Sequence, residues 1–118
     1  MNLLTTNPFD DDHLQEECAV FGIFGTNEAS INTALGLHAL QHRGQEAAGI
    51  VSFDGKQFHA ERRLGLVSDH FTKASILDRL QGNMACGHVR YSTTGETILR
   101  NVQPLFAGLA GGGFAVAH

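Results

Sequence analysis

Ala47-Ala48-Gly49-Ile50-Val51-Ser52-Phe53-Asp54-Gly55-Lys56-Gln57-Phe58-His59-Ala60 sets the architecture of this chain. Ala47 to Phe53 reads as a strand, Asp54-Gly55 as a two-residue hairpin signal, and the run through Phe58 and Ala60 as the returning strand. A tight hairpin can only join antiparallel neighbours, so the sheet is expected to be antiparallel. Upstream, Cys18 to Phe24 is a short apolar run closed by Gly25, which suits a buried strand. Between them, Asn27 or Ser30 caps a helix running to about Leu40, with Ile31, Ala34, Leu35 and His38 on one face. Gly36 inside that helix costs about 1 kcal/mol relative to alanine. The polar His42-Arg43-Gly44 then breaks the pattern as a loop. Downstream, Asp69 to Leu80 is loosely helical through Phe71, Ile76, Leu77 and Leu80, and Gln81-Gly82-Asn83 ends it. Met84 to Arg90 reads as a fourth strand, and a further strand begins near Phe114 after Gly111-Gly112-Gly113. The order strand, helix, hairpin, helix, strand is that of an α+β domain.

The chain has 118 residues and 42% apolar content, enough for one small domain of the usual ~100–150 residues. Its net charge of -4, with no basic cluster, lacks the footprint of a nucleic-acid binder. No run approaches the ~20 apolar residues that span a bilayer, and the amino terminus lacks a secretory layout, so no membrane partner and a cytoplasmic location are expected. There the two cysteines, Cys18 and Cys86, stay reduced. Neither has a paired metal-ligand spacing, so no metal is expected in this segment. The triple glycine is no phosphate loop, because no Lys-Ser/Thr follows it. Met1 to Glu17 carries Asp10, Asp11, Asp12, Glu16 and Glu17 with few apolar residues, the composition of a loosely attached leader. We read residues 1–17 as a propeptide and 18–118 as the first half of a domain that continues beyond His118.

Two further stretches point to chemistry. Gln41 to Ile50 (QHRGQEAAGI) and Gly87 to Gly95 (GHVRYSTTG) each set an arginine in a glycine-flanked loop beside strand-like sequence. Cys18 becomes a first residue if the leader is removed. It then carries both a thiol and an α-amine, which ordinarily titrates near ~7.7–8.0 and so has an appreciable neutral fraction near neutrality. An amine so placed can serve as the base for its own side chain, as in N-terminal threonine nucleophiles. Arg90, at a strand end, suits a bidentate grip on a carboxylate. The plain alternatives are a core thiol for Cys18, a partly exposed ion pair for Arg90 and a simple turn for Arg43 and Gly44. Cys86 is expected to be a core thiol. His42 and His88 adjoin these arginines, but neighbouring strand residues face opposite sides, and His88 is read as structural.

The cysteine before the first strand and the two arginine loops resemble the class II glutamine amidotransferases, enzymes with an N-terminal nucleophile. Within them, QHRGQEAAGI with GHVRYSTTG is most similar to the amidophosphoribosyltransferase family. The resemblance implies an N-terminal-nucleophile hydrolase fold, two stacked antiparallel sheets between helical layers, incomplete in this chain. It implies Cys18 as the nucleophile that releases ammonia from glutamine, and Arg90 and Thr93 as contacts to the substrate, with Arg90 on its α-carboxylate. Arg43 and Gly44 match a loop that closes over the site. It further implies an oxyanion-stabilising Asn-Gly pair after the strand begun near Phe114, so that residues 1–118 alone are expected to be inactive. A second domain would use the ammonia on phosphoribosyl pyrophosphate to make 5-phosphoribosylamine in the first step of purine synthesis. Mg2+ and, in some members, a 4Fe–4S cluster belong to that later part, and the full-length enzyme is expected to be a homo-oligomer. The glutaminase part of a hexosamine-forming or glutamate synthase, and a non-catalytic α+β module, stay open as alternatives.

Overall fold

The structure is a computed structural model that describes residues 18–41, 45–91 and 97–118. Its centre is a four-stranded antiparallel sheet of β1 (Ala19–Phe24), β2 (Gln45–Phe53), β3 (Phe58–Leu64) and β4 (Met84–Tyr91), in the order β1-β4-β2-β3. The expected hairpin is β2–β3, registered Phe53 opposite Phe58. Its loop is four residues, not two. Asp54 accounts for the difference: its Oδ1 accepts the Lys56 and Gln57 N–H groups at 2.8 and 2.9 Å, and Gly55 takes a φ of 97°. The side chain thus supplies the turn's hydrogen bonds and allows a wider loop than Asp-Gly suggests.

Helix α1 (Ala29–Leu40) lies across one face of the sheet. Its buried residues are Ala29, Ser30, Thr33, Ala34 and Leu37, whereas Ile31 and Leu35 are 42% and 64% exposed. The face expected to be buried is therefore largely the outer one. Small side chains let the helix approach closely, and Gly36 is part of that approach. A Cβ there would fall 2.4 Å from the Phe21 ring. No side chain caps the helix; Glu28 occupies the N-cap position. Ala48, Ile50, Ala85, Val89 and Tyr91 of the sheet complete this core with Val67, Phe71, Ile76 and Leu80. Each fully buried valine, leucine, isoleucine or phenylalanine side chain contributes about 1.5–3 kcal/mol. The single helix expected over Asp69 to Leu80 is instead two short ones, α2 (Val67–His70) and α3 (Ala74–Leu77), separated by an extended Lys73.

The opposite face of the sheet is covered in part by a second, two-stranded antiparallel sheet, β5 (Leu105–Leu109) and β6 (Gly112–Val116). The strand expected near Phe114 is β6; β5 had no counterpart in the sequence reading. Phe106 of β5 meets Phe58 edge-on at 5.2 Å, and Val102 and Pro104, which lead into it, are fully buried. The layers run helix, sheet, sheet. This is an α+β arrangement built on antiparallel sheets, as expected from the sequence.

Candidate active site

Side chains alternate along a strand, and cross-strand partners share a face. On β4 the even-numbered residues point away from α1, which puts His88 and Arg90 together on the face that carries β5 and β6. The β1–β4 register pairs Ala19 with Val89 and Val20 with His88. Continued by one residue, it sets Cys18 beside Arg90 on that same face. On the other side of Arg90, β2 contributes Ala47, fully buried. Two of the residues singled out from sequence, 72 positions apart in the chain, therefore fall at the same end of the sheet. Cys18 is half-buried and a free thiol.

Arg90 is half-buried, and its Nε donates to Thr97 Oγ1 at 3.4 Å. Thr97 in turn donates to Glu46 Oε1. Glu46 sits at an irregularity in the β2–β4 pairing, where Gln45 opposes Tyr91 and Ala47 opposes Arg90. That extra residue turns a carboxylate toward the arginine's neighbourhood, a common use of a bulge near functional residues. Nothing in the sequence pattern marked Glu46 or Thr97 as part of this arrangement, because the register irregularity that joins them is not a local property.

Thr93, Arg43 and Gly44 lie outside the described residues. The flanks of the Arg43 loop are described, however. The Val67 N–H donates to Gln41 Oε1 at 3.1 Å and to Gln45 Oε1 at 3.2 Å, and Gln45 Nε2 donates to the Ala47 and Gly65 carbonyls at 2.8 Å each. Both ends of that loop are thus fixed to one backbone amide at the start of α2. Tyr91 OH donates to the Leu40 carbonyl at 3.2 Å, tying the end of α1 to the end of β4.

His88 is fully buried, and its Nε2 lies 2.9 Å from the His118 carbonyl. A carbonyl only accepts, so Nε2 carries the proton. Nδ1 has no hydrogen-bond partner among the described residues. Burial, with the nearby Arg90 charge, holds the His88 pKa below the ordinary histidine value, against the opposing effect of the His118 hydrogen bond. The expectation that His88 faces away from the arginine is corrected here: it stands two residues before Arg90, not one, and so shares its face. Cys86, four residues before Arg90, also lies on this face. Burial raises its thiol pKa, which disfavours a thiolate there. Among the described residues, no three or more His, Cys, Asp or Glu side chains gather as a metal site.

No family model matches the chain. Known proteins do. The chain is 65% identical over 114 residues to an amidophosphoribosyltransferase of Rhizobium etli, a match covering 97% of this chain and 23% of that protein. It is 54% identical to a chloroplastic amidophosphoribosyltransferase of Vigna aconitifolia, covering 97% of this chain and 24% of that one. Among solved structures, one described as the allosteric regulatory enzyme of purine biosynthesis superposes with a TM-score of 0.74 at 46% identity, over 81% of this chain and 21% of that chain. The chain resembles the amidophosphoribosyltransferases. The glutamine phosphoribosylpyrophosphate amidotransferase of B. subtilis, complexed with ADP and GMP, agrees, at a TM-score of 0.72 and 45% identity over 83% of this chain and 21% of that one. The chain spans about a quarter of the length of these amidophosphoribosyltransferases and matches their amino-terminal part. No helix among the described residues is long and apolar enough to cross a membrane.

Proposed function

We propose that this segment is the glutamine-cleaving part of a glutamine-dependent amidophosphoribosyltransferase, and that the ammonia it releases converts phosphoribosyl pyrophosphate to 5-phosphoribosylamine elsewhere in the full-length enzyme. The observation that carries the reading is the placing of Cys18 beside Arg90 on one face at one end of the sheet. A thiol and a guanidinium so arranged match the two ends of a glutamine: the arginine holds the α-carboxylate, and the thiol reaches the side-chain amide. Removal of residues 1–17 frees the Cys18 amine. The amine takes the thiol proton as Sγ attacks the amide carbon, then delivers it to the departing nitrogen, which leaves as ammonia. The resulting γ-glutamyl thioester is hydrolysed by water to glutamate, and the thiol is regenerated. Arg43, Gly44 and Thr93 are assigned to closing and lining the site, with the Val67-anchored flanks of the 42–44 loop supporting that assignment for the first two.

The chain's two cysteines fall short of the four thiolates that an iron–sulfur cluster takes, so no step here runs through one. The phosphoribosyl chemistry and its Mg2+ are assigned to the rest of the enzyme, which we place in the cytoplasm as a homo-oligomer. The reading is tested by Cys18→Ser in the full-length enzyme. Glutamine-dependent product formation should vanish while synthesis from added ammonia persists, because ammonia bypasses the thioester. Survival of glutamine use, or loss of both activities in a folded protein, contradicts it.

A further inference from the structure

One row of side chains crosses the sheet directly beside Arg90. From β1 to β3 it reads Val20, His88, Gly49 and Arg62, each opposite the next in the strand registers. Gly49 makes this row a trough. The Gln103 carbonyl oxygen lies only 2.2 Å from where a Cβ at Gly49 would stand, so the backbone leading into β5 descends into space that any other residue would fill. Arg62 Nη1 donates to the Val102 carbonyl at 3.0 Å on one side of the trough. On the other side the buried His88 reaches the His118 carbonyl. The His118 N–H donates to Gln103 Oε1 at 2.6 Å, so His118, just past the end of β6, is held at both its backbone N–H and its carbonyl.

The hydrogen bonds tie His118 to the strand that carries Arg90 and to the segment that Gly49 admits. We propose that His88 is a positioning residue for glutamine cleavage: by donating Nε2–H to the His118 carbonyl, it seats the chain leaving β6 on the face that holds Cys18 and Arg90. The proposal rests on the glutaminase reading above. His88 touches no substrate in this account. It acts through His118, and its near neighbour Arg90 grips the substrate.

The test is made in the full-length enzyme with His88→Leu and His88→Gln, measuring glutamine-dependent and ammonia-dependent rates for each. Leucine fills the volume without a donor, whereas the glutamine amide nitrogen can stand near the position of Nε2. His88→Leu should lower kcat/KM for glutamine by about tenfold with the ammonia-dependent rate unchanged, and His88→Gln should recover it to within about threefold of wild type. Wild-type glutamine kinetics in His88→Leu, or equal impairment in both variants, would overturn the proposal. Should His88→Leu fail to fold, Gln103→Ala, which removes the acceptor for the His118 N–H, must show the same glutamine-only loss; wild-type glutamine use in that variant overturns the proposal as well. Cys18→Ser run in parallel separates the two claims. If it retains glutamine use the glutaminase reading itself fails, and if it loses glutamine use while the His88 and Gln103 variants behave as wild type, only the positioning role fails.

Discussion

Arg90 is proposed to hold the glutamine α-carboxylate, and its side-chain chemistry allows a sharp test. Lysine at this position keeps the positive charge but presents a point donor in place of a planar fork. Losing a charge-assisted hydrogen bond costs roughly 1.5–3 kcal/mol, so Arg90→Lys in the full-length enzyme should lower kcat/KM for glutamine by about ten- to a hundredfold. The loss should appear mainly in KM and leave ammonia-dependent synthesis alone; an unchanged kcat/KM for glutamine would reduce Arg90 to an ordinary surface charge. Cys18 and Arg90 were legible as candidates from their local settings, a thiol at the mouth of an apolar run and a guanidinium ending a strand. Their placement at one end of the sheet was not, since it depends on β1 pairing with β4 across 59 residues of intervening chain. The same holds for Glu46, Thr97 and Gln103, ordinary polar residues whose partners are set by tertiary register.

At the scale of elements, the packing of α1 on the sheet opposes intrinsic propensity to close contact. Gly36→Ala gains about 1 kcal/mol of helix propensity. The new Cβ, however, would lie 2.4 to 2.7 Å from three atoms of the Phe21 ring, including its root, and overpacking of this kind costs typically 1–3 kcal/mol. The contact should win, so the variant should melt below wild type in a thermal unfolding experiment; a raised Tm would show that the ring can move aside freely. This explains why the buried face of α1 was misread. Burial there follows small residues, Ala29, Ser30, Thr33 and Ala34, whereas hydrophobic periodicity singles out Ile31 and Leu35. The β2–β3 hairpin, in contrast, was legible because its turn chemistry is local. Asp54 is held at a pKa of about 2, below its ordinary 3.8, by the Gln57 N–H first, then by His59 and the Lys56 N–H. A carboxylate with a depressed folded-state pKa stabilises fully above its unfolded value and loses that contribution as pH falls through the folded one. Protection of the Lys56 and Gln57 amides from hydrogen exchange should therefore exceed that of Asp54→Ala above about pH 4, and the difference should shrink toward pH 2. A difference that persists undiminished at pH 2 would assign the protection to something other than the carboxylate.

Over the whole molecule, helix, sheet and second sheet form three layers, and much apolar surface stays open. Phe24 is 74% exposed, and Val20, Phe106, Leu109, Phe114 and Val116 are each about half exposed or more. Surface of this kind marks a place for further contacts. Residues 1–118 expressed alone should bind a hydrophobic dye and self-associate, whereas the full-length enzyme should do so far less; equal dye binding by the two would mean that the rest of the enzyme leaves this face uncovered. The fold class was legible because antiparallel pairing follows from one hairpin, but β5 was hidden: Leu105 to Leu109 is five residues long, interrupted by Gly108, and recognisable only through its pairing with β6. The account's central claim is that Cys18, freed of its leader, is the nucleophile of this face. The most direct test is to quench the full-length enzyme with acid during glutamine turnover, digest it, and find by mass spectrometry which peptide carries the glutamyl group. The account predicts a peptide beginning at Cys18 and acylated on that residue, whereas a glutamyl group on Cys86, or full activity in molecules that retain residues 1–17, would contradict it.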